Sequence, residues 1–201
     1  MANRNVLLMQ DMYFQSDIQF NRIYPGNIQK LSSWHWTPLA VARKAAAFLA
    51  SEPGIRILDI GSGAGKFCLA AGYHRPDAQF YGVEQRESLF QIASHALASL
   101  GLENVTFINR NFTQLNFGRY DNFYVYNPFY ENLSGTEKID DSIDYSSELY
   151  HYYNRYLYKQ LQLKPTGTRV ATFHSLEDEM PPAYHIVGTD MDTLLKFWIK
   201  V

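Results

Sequence analysis

The sequence predicts a doubly wound α/β fold: a mostly parallel sheet of seven strands, of which the last two form an antiparallel pair. Three observations predict it. Short apolar runs alternate with stretches of helical length over most of the chain, as strands alternate with helices in such folds. Residues 55–60 form an apolar run with almost no polar face, as expected for a strand buried on both sides. Glycines then alternate with other residues over 61–65, where that strand turns into a helix.

The first half of the chain supplies three strands and three helices. Thr37 and Pro38 suit the N-cap and first position of a helix that runs to residue 50 and ends before Pro53. The strand 55–60 and the glycine turn lead into a helix over 66–73. A second strand is predicted over 79–83, a helix over 87–100 that Gly101 ends, and a third strand over 104–108.

The second half completes the sheet. A fourth strand is predicted over 122–126, a long helix over 146–163 and a fifth strand over 168–173. The segments 184–187 and 194–199 are predicted to form the terminal antiparallel pair. Residues 1–36 have weak periodicity and are interpreted as an N-terminal extension or lid on a core of residues 37–201. One domain, 1–201, is therefore expected.

Composition narrows the class of protein. The chain has 201 residues, a formal net charge of −2 and no cluster of Lys and Arg, which gives little support to a nucleic-acid partner but does not exclude one. The single cysteine, Cys68, allows no internal disulfide and fits a reducing compartment. No apolar run has the length of a membrane span, and the histidines lack the spacing of metal ligands. The sequence therefore predicts a cytoplasmic protein with no membrane partner and no metal site; its oligomeric state is not predicted.

The glycine turn is a candidate ligand-binding loop, composed of Asp59, Gly61, Ser62, Gly63 and Gly65. Glycine allows a backbone to approach a ligand closely. A phosphate-binding loop requires Ser or Thr after its lysine, but Phe67 follows Lys66 here. A dinucleotide-binding fingerprint requires a sixth-position glycine, which Lys66 replaces. Both alternatives fit poorly, since the pattern is Gly-x-Gly-x-Gly after an acidic residue.

Residues 58–65 resemble the first motif of the class I S-adenosylmethionine-dependent methyltransferases. The resemblance implies S-adenosyl-L-methionine as the cofactor, with its methionine end over the loop near Asp59. Glu84 ends the second strand about 20 residues after the loop, where a carboxylate can accept hydrogen bonds from ribose hydroxyls. Gln85 would border the adenine, and Asn111 matches the position of an acidic residue that faces the adenine amino group. Thr37 either lies near the cofactor carboxylate, as in several nitrogen methyltransferases, or is only a helix cap.

The segment after the fourth strand, Asn127-Pro128-Phe129-Tyr130, resembles the Asn-Pro-Pro-Tyr motif of nitrogen methyltransferases. The resemblance implies catalytic roles for Asn127, Pro128 and Tyr130: the asparagine and the following carbonyl accept hydrogen bonds from the target nitrogen, and the tyrosine stacks on a planar target. Phe129 departs from the motif, which leaves adenine as a target in doubt. His174, after the fifth strand, is either a proton acceptor at the site or simply a solvated residue.

Residues 80–84 and 127–129 also resemble the non-SET histone-lysine methyltransferases, which implies a lysine target in a channel lined by Tyr126, Phe129 and Tyr130. The favoured hypothesis is methyl transfer to a nitrogen of a protein side chain. The alternatives are a nucleic-acid or small-molecule substrate, or a domain that binds S-adenosylmethionine without catalysing transfer. The acceptor residues Asn127 and Pro128 favour an enzyme, because a domain that only binds the cofactor has no need of them.

Overall fold

A single twisted sheet organises the molecule, in a computed structural model that describes residues 11–32, 36–175 and 177–201. Its strands are β1 Arg56–Ile60, β2 Gln79–Glu84, β3 Val105–Asn109, β4 Asn122–Tyr126, β5 Arg169–Phe173, β6 Tyr184–Asp190 and β7 Leu195–Lys200. Their order in the sheet is β3-β2-β1-β4-β5-β7-β6. Strands β1 to β5 pair in parallel, and β7 lies antiparallel between β5 and β6. The predicted fold class and the terminal antiparallel pair are confirmed.

Helices cover both faces of this sheet. In the described ranges they are α1 Asp17–Asn21, α2 Gly26–Gln29, α3 Leu39–Leu49, α4 Lys66–His74, α5 Glu87–Leu100 and α6 Ser147–Gln162. One buried cluster joins α1, α3 and α4 to the face that carries Ile57 and Tyr124. A second cluster joins α6 to the face that carries Leu58 and Phe123. The inner strands are therefore buried on both sides, as their unbroken apolar runs predicted. No helix in these ranges combines the length and the apolar character needed to cross a membrane.

The start of α3 differs from the prediction. The N-cap residue is Pro38 rather than Thr37, and no side chain of the cap itself bonds to the helix. Instead, Asp17 accepts a hydrogen bond from the backbone N–H of Leu39 at 3.0 Å. The Thr37 hydroxyl lies 3.0 Å from the Tyr124 hydroxyl, inside the core. Capping from a residue so distant in the chain leaves no local pattern in the sequence. The predicted strand ends differ from the observed ones by at most three residues.

The segment 11–32 packs against the glycine loop. Phe20 is fully buried in the core cluster and Tyr24 almost so. The Tyr24 hydroxyl donates a hydrogen bond to the Ala64 carbonyl of the loop at 2.9 Å, and Lys66 Nζ lies 2.5 Å from Asp17 Oδ1. This part of the predicted extension thus supports the loop, while residues 1–10 and 33–35 of that extension lie outside the described residues.

Candidate active site

The glycines between β1 and α4 adopt backbone angles that favour glycine, with φ of +74° at Gly61, +54° at Gly63 and +84° at Gly65. A Cβ added to Gly61 would lie 2.7 Å from the Cβ of Pro128, and one added to Gly65 would lie 2.3 Å from the ring of Phe107. At Gly63 the corresponding space is open. The loop is therefore packed against protein at its ends and open at its centre, which is the geometry of a cradle for a ligand.

Glu84 ends β2 beside this loop and is buried. Its Oε2 accepts a hydrogen bond from Gly63 N–H at 3.0 Å, and its Oε1 accepts one from Arg86 N–H at 2.8 Å. Burial raises the pKa of the Glu84 carboxyl, which the hydrogen bonds from Arg86 and Gly63 oppose. Glu84 thus fixes the centre of the loop and also lines the large cavity, while its predicted bonds to the ribose of a cofactor stay a prediction.

Asp59 lies behind the loop at the end of β1. Burial raises the pKa of its carboxyl to about 8, although a hydrogen bond from the Cys68 thiol opposes the shift and Glu84 adds to it. A small cavity of about 30 Å³ adjoins Asp59, and its other polar lining comes from Thr37, Ser62, Lys66 and Tyr124. The Ser62 hydroxyl is buried and has no hydrogen-bond partner in the described part of the chain. An unpartnered buried hydroxyl beside a carboxyl calls for a polar ligand atom.

A larger cavity of about 790 Å³ opens at the carboxyl ends of the parallel strands, where ligands bind in folds of this type. Its volume lies within the usual range for a cofactor site. Of the residues predicted to form the site it is lined by Gly61, Gly63, Glu84, Gln85, Asn111, Asn127, Pro128 and Tyr130. The smaller cavity holds Thr37, Asp59 and Ser62, and Gly65 caps α4 behind the loop. One edge of the sheet therefore brings all the predicted site residues together.

Asn127 follows β4 with a left-handed backbone, φ 38°. Its carbonyl accepts a hydrogen bond from Tyr130 N–H at 3.3 Å, which closes the turn. Phe129 points into the core, where it stacks on Phe112 with ring centroids 5.0 Å apart. Tyr130 is 48% exposed at the cavity wall. The phenylalanine that replaces the motif's second proline is thus mainly a core residue, and the tyrosine is the one free to contact a substrate.

Asn111 and Gln85 meet at the far end of the cavity. The Asn111 amide donates to Gln85 Oε1 and to the Tyr153 hydroxyl, both at 2.9 Å. Its Oδ1 already accepts from the N–H and hydroxyl of Thr113, capping the short turn that follows. The sequence predicted that both residues lie near the adenine, which stays a prediction, and it gave no sign that the Asn111 amide oxygen caps a turn.

Arg86 is the residue of this site that sequence reasoning missed. Its guanidinium is 6% exposed and lies 2.7 Å from Glu131, 3.3 Å from Asp140 and 2.6 Å from the Tyr145 hydroxyl, with Glu84 at 3.8 Å. These partners raise the pKa of Arg86 against the effect of burial, Glu131 most among them. The only sign of its role in the sequence was its position directly after Glu84 and Gln85. The segment 131–145 supplies three of its partners, but that segment has no periodic pattern that would have predicted the contacts.

Within the described residues, no group of three or more His, Cys, Asp or Glu side chains is arranged to hold a metal ion. Two carboxyls, an unpartnered hydroxyl and open backbone at Gly63 match a ligand with cationic and hydroxyl groups but no phosphates.

Comparison with known proteins agrees with this geometry. A family model described as a methyltransferase domain matches residues 51–148. The crystal structure of magnesium protoporphyrin IX methyltransferase from Synechocystis, with bound S-adenosylmethionine, covers 100% of this chain and 99% of its own at a TM-score of 0.60 and 18% identity. The chain has the class I methyltransferase fold. The loop 61–65 follows β1 at the carboxyl ends of the parallel strands, and its role in binding S-adenosylmethionine stays a prediction.

Three curated methyltransferases match segments of this chain. The tRNA (guanine-N(7)-)-methyltransferase of Synechococcus sp. JA-3-3Ab is 46% identical over 54 residues, 27% of this chain and 23% of that protein. The ribosomal RNA small subunit methyltransferase G of Christiangramia forsetii is 27% identical over 113 residues, 56% and 52% respectively. The release factor glutamine methyltransferase of Buchnera aphidicola is 28% identical over 106 residues, 51% and 37%. The matches span from about a quarter to about half of these relatives' length.

Proposed function

We propose that this chain is an S-adenosylmethionine-dependent methyltransferase that transfers a methyl group to a nitrogen of a nucleic acid. The fold and the methyltransferase-domain match support the reaction class. The observation that carries the assignment is the contact between Pro128 and Gly61. It puts residues 127–130 after β4, here called the acceptor turn, directly beside the glycine loop after β1.

The residues of the loop fit S-adenosylmethionine. The unpartnered Ser62 hydroxyl and the Asp59 carboxyl suit the ammonium and carboxylate of its methionine end. Glu84 offers carboxylate oxygens to the ribose hydroxyls next to the open face of Gly63. Gln85 and Asn111 line the large cavity, where we expect them to border the adenine, and Thr37 borders the smaller cavity. Bound there, the cofactor supplies an electrophilic methyl group on a sulfonium.

In the proposed reaction, the lone pair of the target nitrogen forms a bond to the methyl carbon while the carbon–sulfur bond breaks, which leaves a neutral thioether. Asn127 provides hydrogen-bond acceptors that orient the nitrogen, and Pro128 holds the turn against Gly61. The contribution of these residues is positioning and electrostatic stabilisation.

A nucleic acid replaces a protein side chain as the favoured substrate for two reasons. Two of the three relatives are named for tRNA or ribosomal RNA. In addition, Tyr130 is half exposed at the cavity wall and presents an aromatic face on which a base can stack. A protein side-chain amide is the second candidate, because the third relative is a release factor glutamine methyltransferase.

The test is transfer of labelled methyl from S-adenosylmethionine to RNA, protein and small-molecule fractions of a lysate. We expect label that nuclease releases and protease does not. Label that only protease removes would select the second candidate, and no label in any fraction would contradict the proposed reaction.

Two variants at one position connect the activity to the acceptor turn. Asn127→Gly keeps the left-handed backbone and removes the side-chain acceptor. We expect it to lower turnover at least about 100-fold with little change in cofactor affinity measured by calorimetry. Asn127→Asp keeps an acceptor oxygen and is the matched control. Turnover of Asn127→Gly equal to that of the wild type would remove Asn127 from the mechanism.

A further inference from the structure

Two adjacent strands end in the same unusual way. β4 and β5 pair in parallel with Tyr126 opposite Phe173, so the residues that follow them, Asn127 and His174, are neighbours at the sheet edge. Both have left-handed backbones, with φ of 38° and 56°. Both line the large cavity. Such conformations cost about 1–3 kcal/mol each for residues other than glycine and concentrate at functional sites.

The rest of the structure fixes the backbone of His174 and leaves its ring nitrogens available. Its N–H donates to the Leu194 carbonyl at 3.0 Å, which anchors the turn to β7. The imidazole lies edge-on to Phe173 at 4.4 Å and 5.7 Å from the ring of Tyr126. Among the described residues, no group forms a hydrogen bond with either ring nitrogen. A ring held by aromatic contacts at the wall of a polar cavity, with no hydrogen bond to its nitrogens from the described residues, suits a proton acceptor.

The electrostatic surroundings keep this ring neutral. The charged and titratable groups of the neighbouring elements are the Lys196–Glu177 ion pair, which joins β7 to the turn after β5, and the Tyr126 phenol on β4. Across the cavity lie Glu84, Arg86 and Glu131. Burial lowers the pKa of His174. The unprotonated form therefore predominates at neutral pH.

We infer that His174 is a catalytic residue that accepts the proton which the target nitrogen loses after methylation. The inference rests on the proposed function and makes it more specific. The new nitrogen–carbon bond leaves the nitrogen with an extra positive charge and a hydrogen. That proton passes to a ring nitrogen of His174 and then to solvent, because the side chain is partly exposed.

The assignment restricts the class of target. A proton acceptor is of use only if the target nitrogen carries hydrogen, as in an exocyclic amino group of a base or a side-chain amide. A ring nitrogen without hydrogen, such as N7 of guanine, needs none. The structure therefore favours an exocyclic amino group over the ring nitrogen named for one of the relatives.

The experiment measures turnover against pH for the wild type, His174→Asn and His174→Ala on the RNA acceptor. Asparagine tolerates the left-handed backbone, so His174→Asn separates loss of the base from loss of the turn. General acid–base catalysis contributes about 10²–10⁴-fold. We expect kcat of the wild type to fall at acidic pH, as His174 becomes protonated. His174→Asn should lower kcat at least about 100-fold near neutral pH and remove that fall. The dissociation constant for S-adenosylmethionine should stay within about twofold, because His174 is not among the residues of the glycine loop, and imidazole should restore part of the activity of His174→Ala.

Mapping of the methylated position gives a second readout. Methyl on an exocyclic amino group or an amide supports the inference. Methyl on a ring nitrogen would overturn it, as would wild-type kcat and an unchanged pH profile in His174→Asn. Either result leaves the proposed function intact, since only the absence of any transfer by the wild type contradicts that.

Discussion

Pro128 packs directly on Gly61: a Cβ added to the glycine would lie 2.7 Å from that of the proline. The two residues follow adjacent parallel strands, in which Ile60 lies opposite Val125. The loop proposed to hold the cofactor and the turn proposed to hold the substrate are thus in van der Waals contact, with no segment between them. A small displacement of either one would change the distance between the two reacting groups.

This contact predicts different effects of alanine at two glycines. Gly61→Ala forces a methyl group against Pro128 and strains a residue with φ +74°, so we expect lower thermal stability and loss of both cofactor affinity and turnover. Gly63→Ala has a similar backbone strain but open space around its new methyl group. It should cost about 1 kcal/mol and affect mainly cofactor affinity. Thermal unfolding and calorimetry of the two variants distinguish them, and equal stability would contradict the packing argument.

Arg86 should contribute to stability far more than a surface arginine. Arg86→Met leaves the buried Glu84 and Glu131 carboxylates without their main partner, so we expect a loss of about 3–5 kcal/mol in the free energy of unfolding. The control is Arg56→Met, which breaks a half-exposed pair with Asp121 and should cost about 0–1 kcal/mol. Urea unfolding measures both. Similar losses in the two variants would contradict a special role of the buried network.

A double substitution tests the energetic coupling between Arg86 and Glu131. Glu131→Gln removes one of the carboxylates that Arg86 neutralises, so Arg86→Met combined with Glu131→Gln should destabilise the protein by less than the sum of the two single changes. Strict additivity would show that the 2.7 Å contact carries no interaction energy.

The pKa of Asp59 predicts a proton release on cofactor binding. The carboxyl is neutral in the free protein at neutral pH, because burial raises its pKa to about 8. A cationic ammonium beside it favours the ionised form. Binding near pH 7 should therefore release protons, and affinity should rise with pH up to about 8. Calorimetry in buffers of different ionisation enthalpy counts the protons, and Asp59→Asn should abolish the release.

The same shift predicts how stability without cofactor depends on pH. The folded-state pKa of Asp59 lies above its ordinary value of 3.8, so the folded protein binds this proton more tightly than the unfolded chain. The stabilisation that this tighter proton binding gives to the folded protein is complete at low pH and is lost as pH rises from about 4 through about 8. Asp59→Asn should flatten that part of the profile of melting temperature against pH. An unchanged slope would place the titration elsewhere.

Asp17 variants separate two interactions of one carboxylate. Asp17→Asn retains an oxygen for the N–H of Leu39 but removes the charge that Lys66 faces. Asp17→Ala removes both, and the difference between the two variants should be about 1 kcal/mol, the usual value of a helix cap. Adding Lys66→Met to Asp17→Asn should recover stability, because it removes a cation that is 4% exposed. Failure of this recovery would show that the ion pair is not a buried one.

Much of the fold could be predicted because local patterns determine it. The buried run of β1, the glycine turn and the helical periodicity after it each occupy a continuous stretch. The predicted site residues came together for a related reason. Glu84 ends β2, while Asn111 and Asn127 follow β3 and β4, and the ends of these parallel strands share one edge of the sheet.

What the sequence did not reveal depends on contacts between distant segments. The partners of Arg86 lie 45 to 59 positions further along the chain, at Glu131 and Tyr145. The helix cap at Leu39 comes from Asp17. Left-handed backbones at Asn127 and His174 are likewise only weakly indicated by residue type, since Asn and His adopt them more often than other residues but far less often than glycine. The identity of the substrate also could not be read from the acceptor motif alone, because several classes of nitrogen fit it.

The Asp17 carboxylate bonds both to the N–H of Leu39 and to Lys66, and this limits which substitutions the protein can accept. Replacing both partners of a buried ion pair together is often neutral for stability, because no buried charge is left unpaired. At Asp17 such an exchange would leave the start of α3 without its cap, and restoring the cap from nearby would leave Lys66 without a counter-ion. No single compensating change satisfies both, so suppressors of Asp17→Ala selected in the laboratory should carry at least two substitutions.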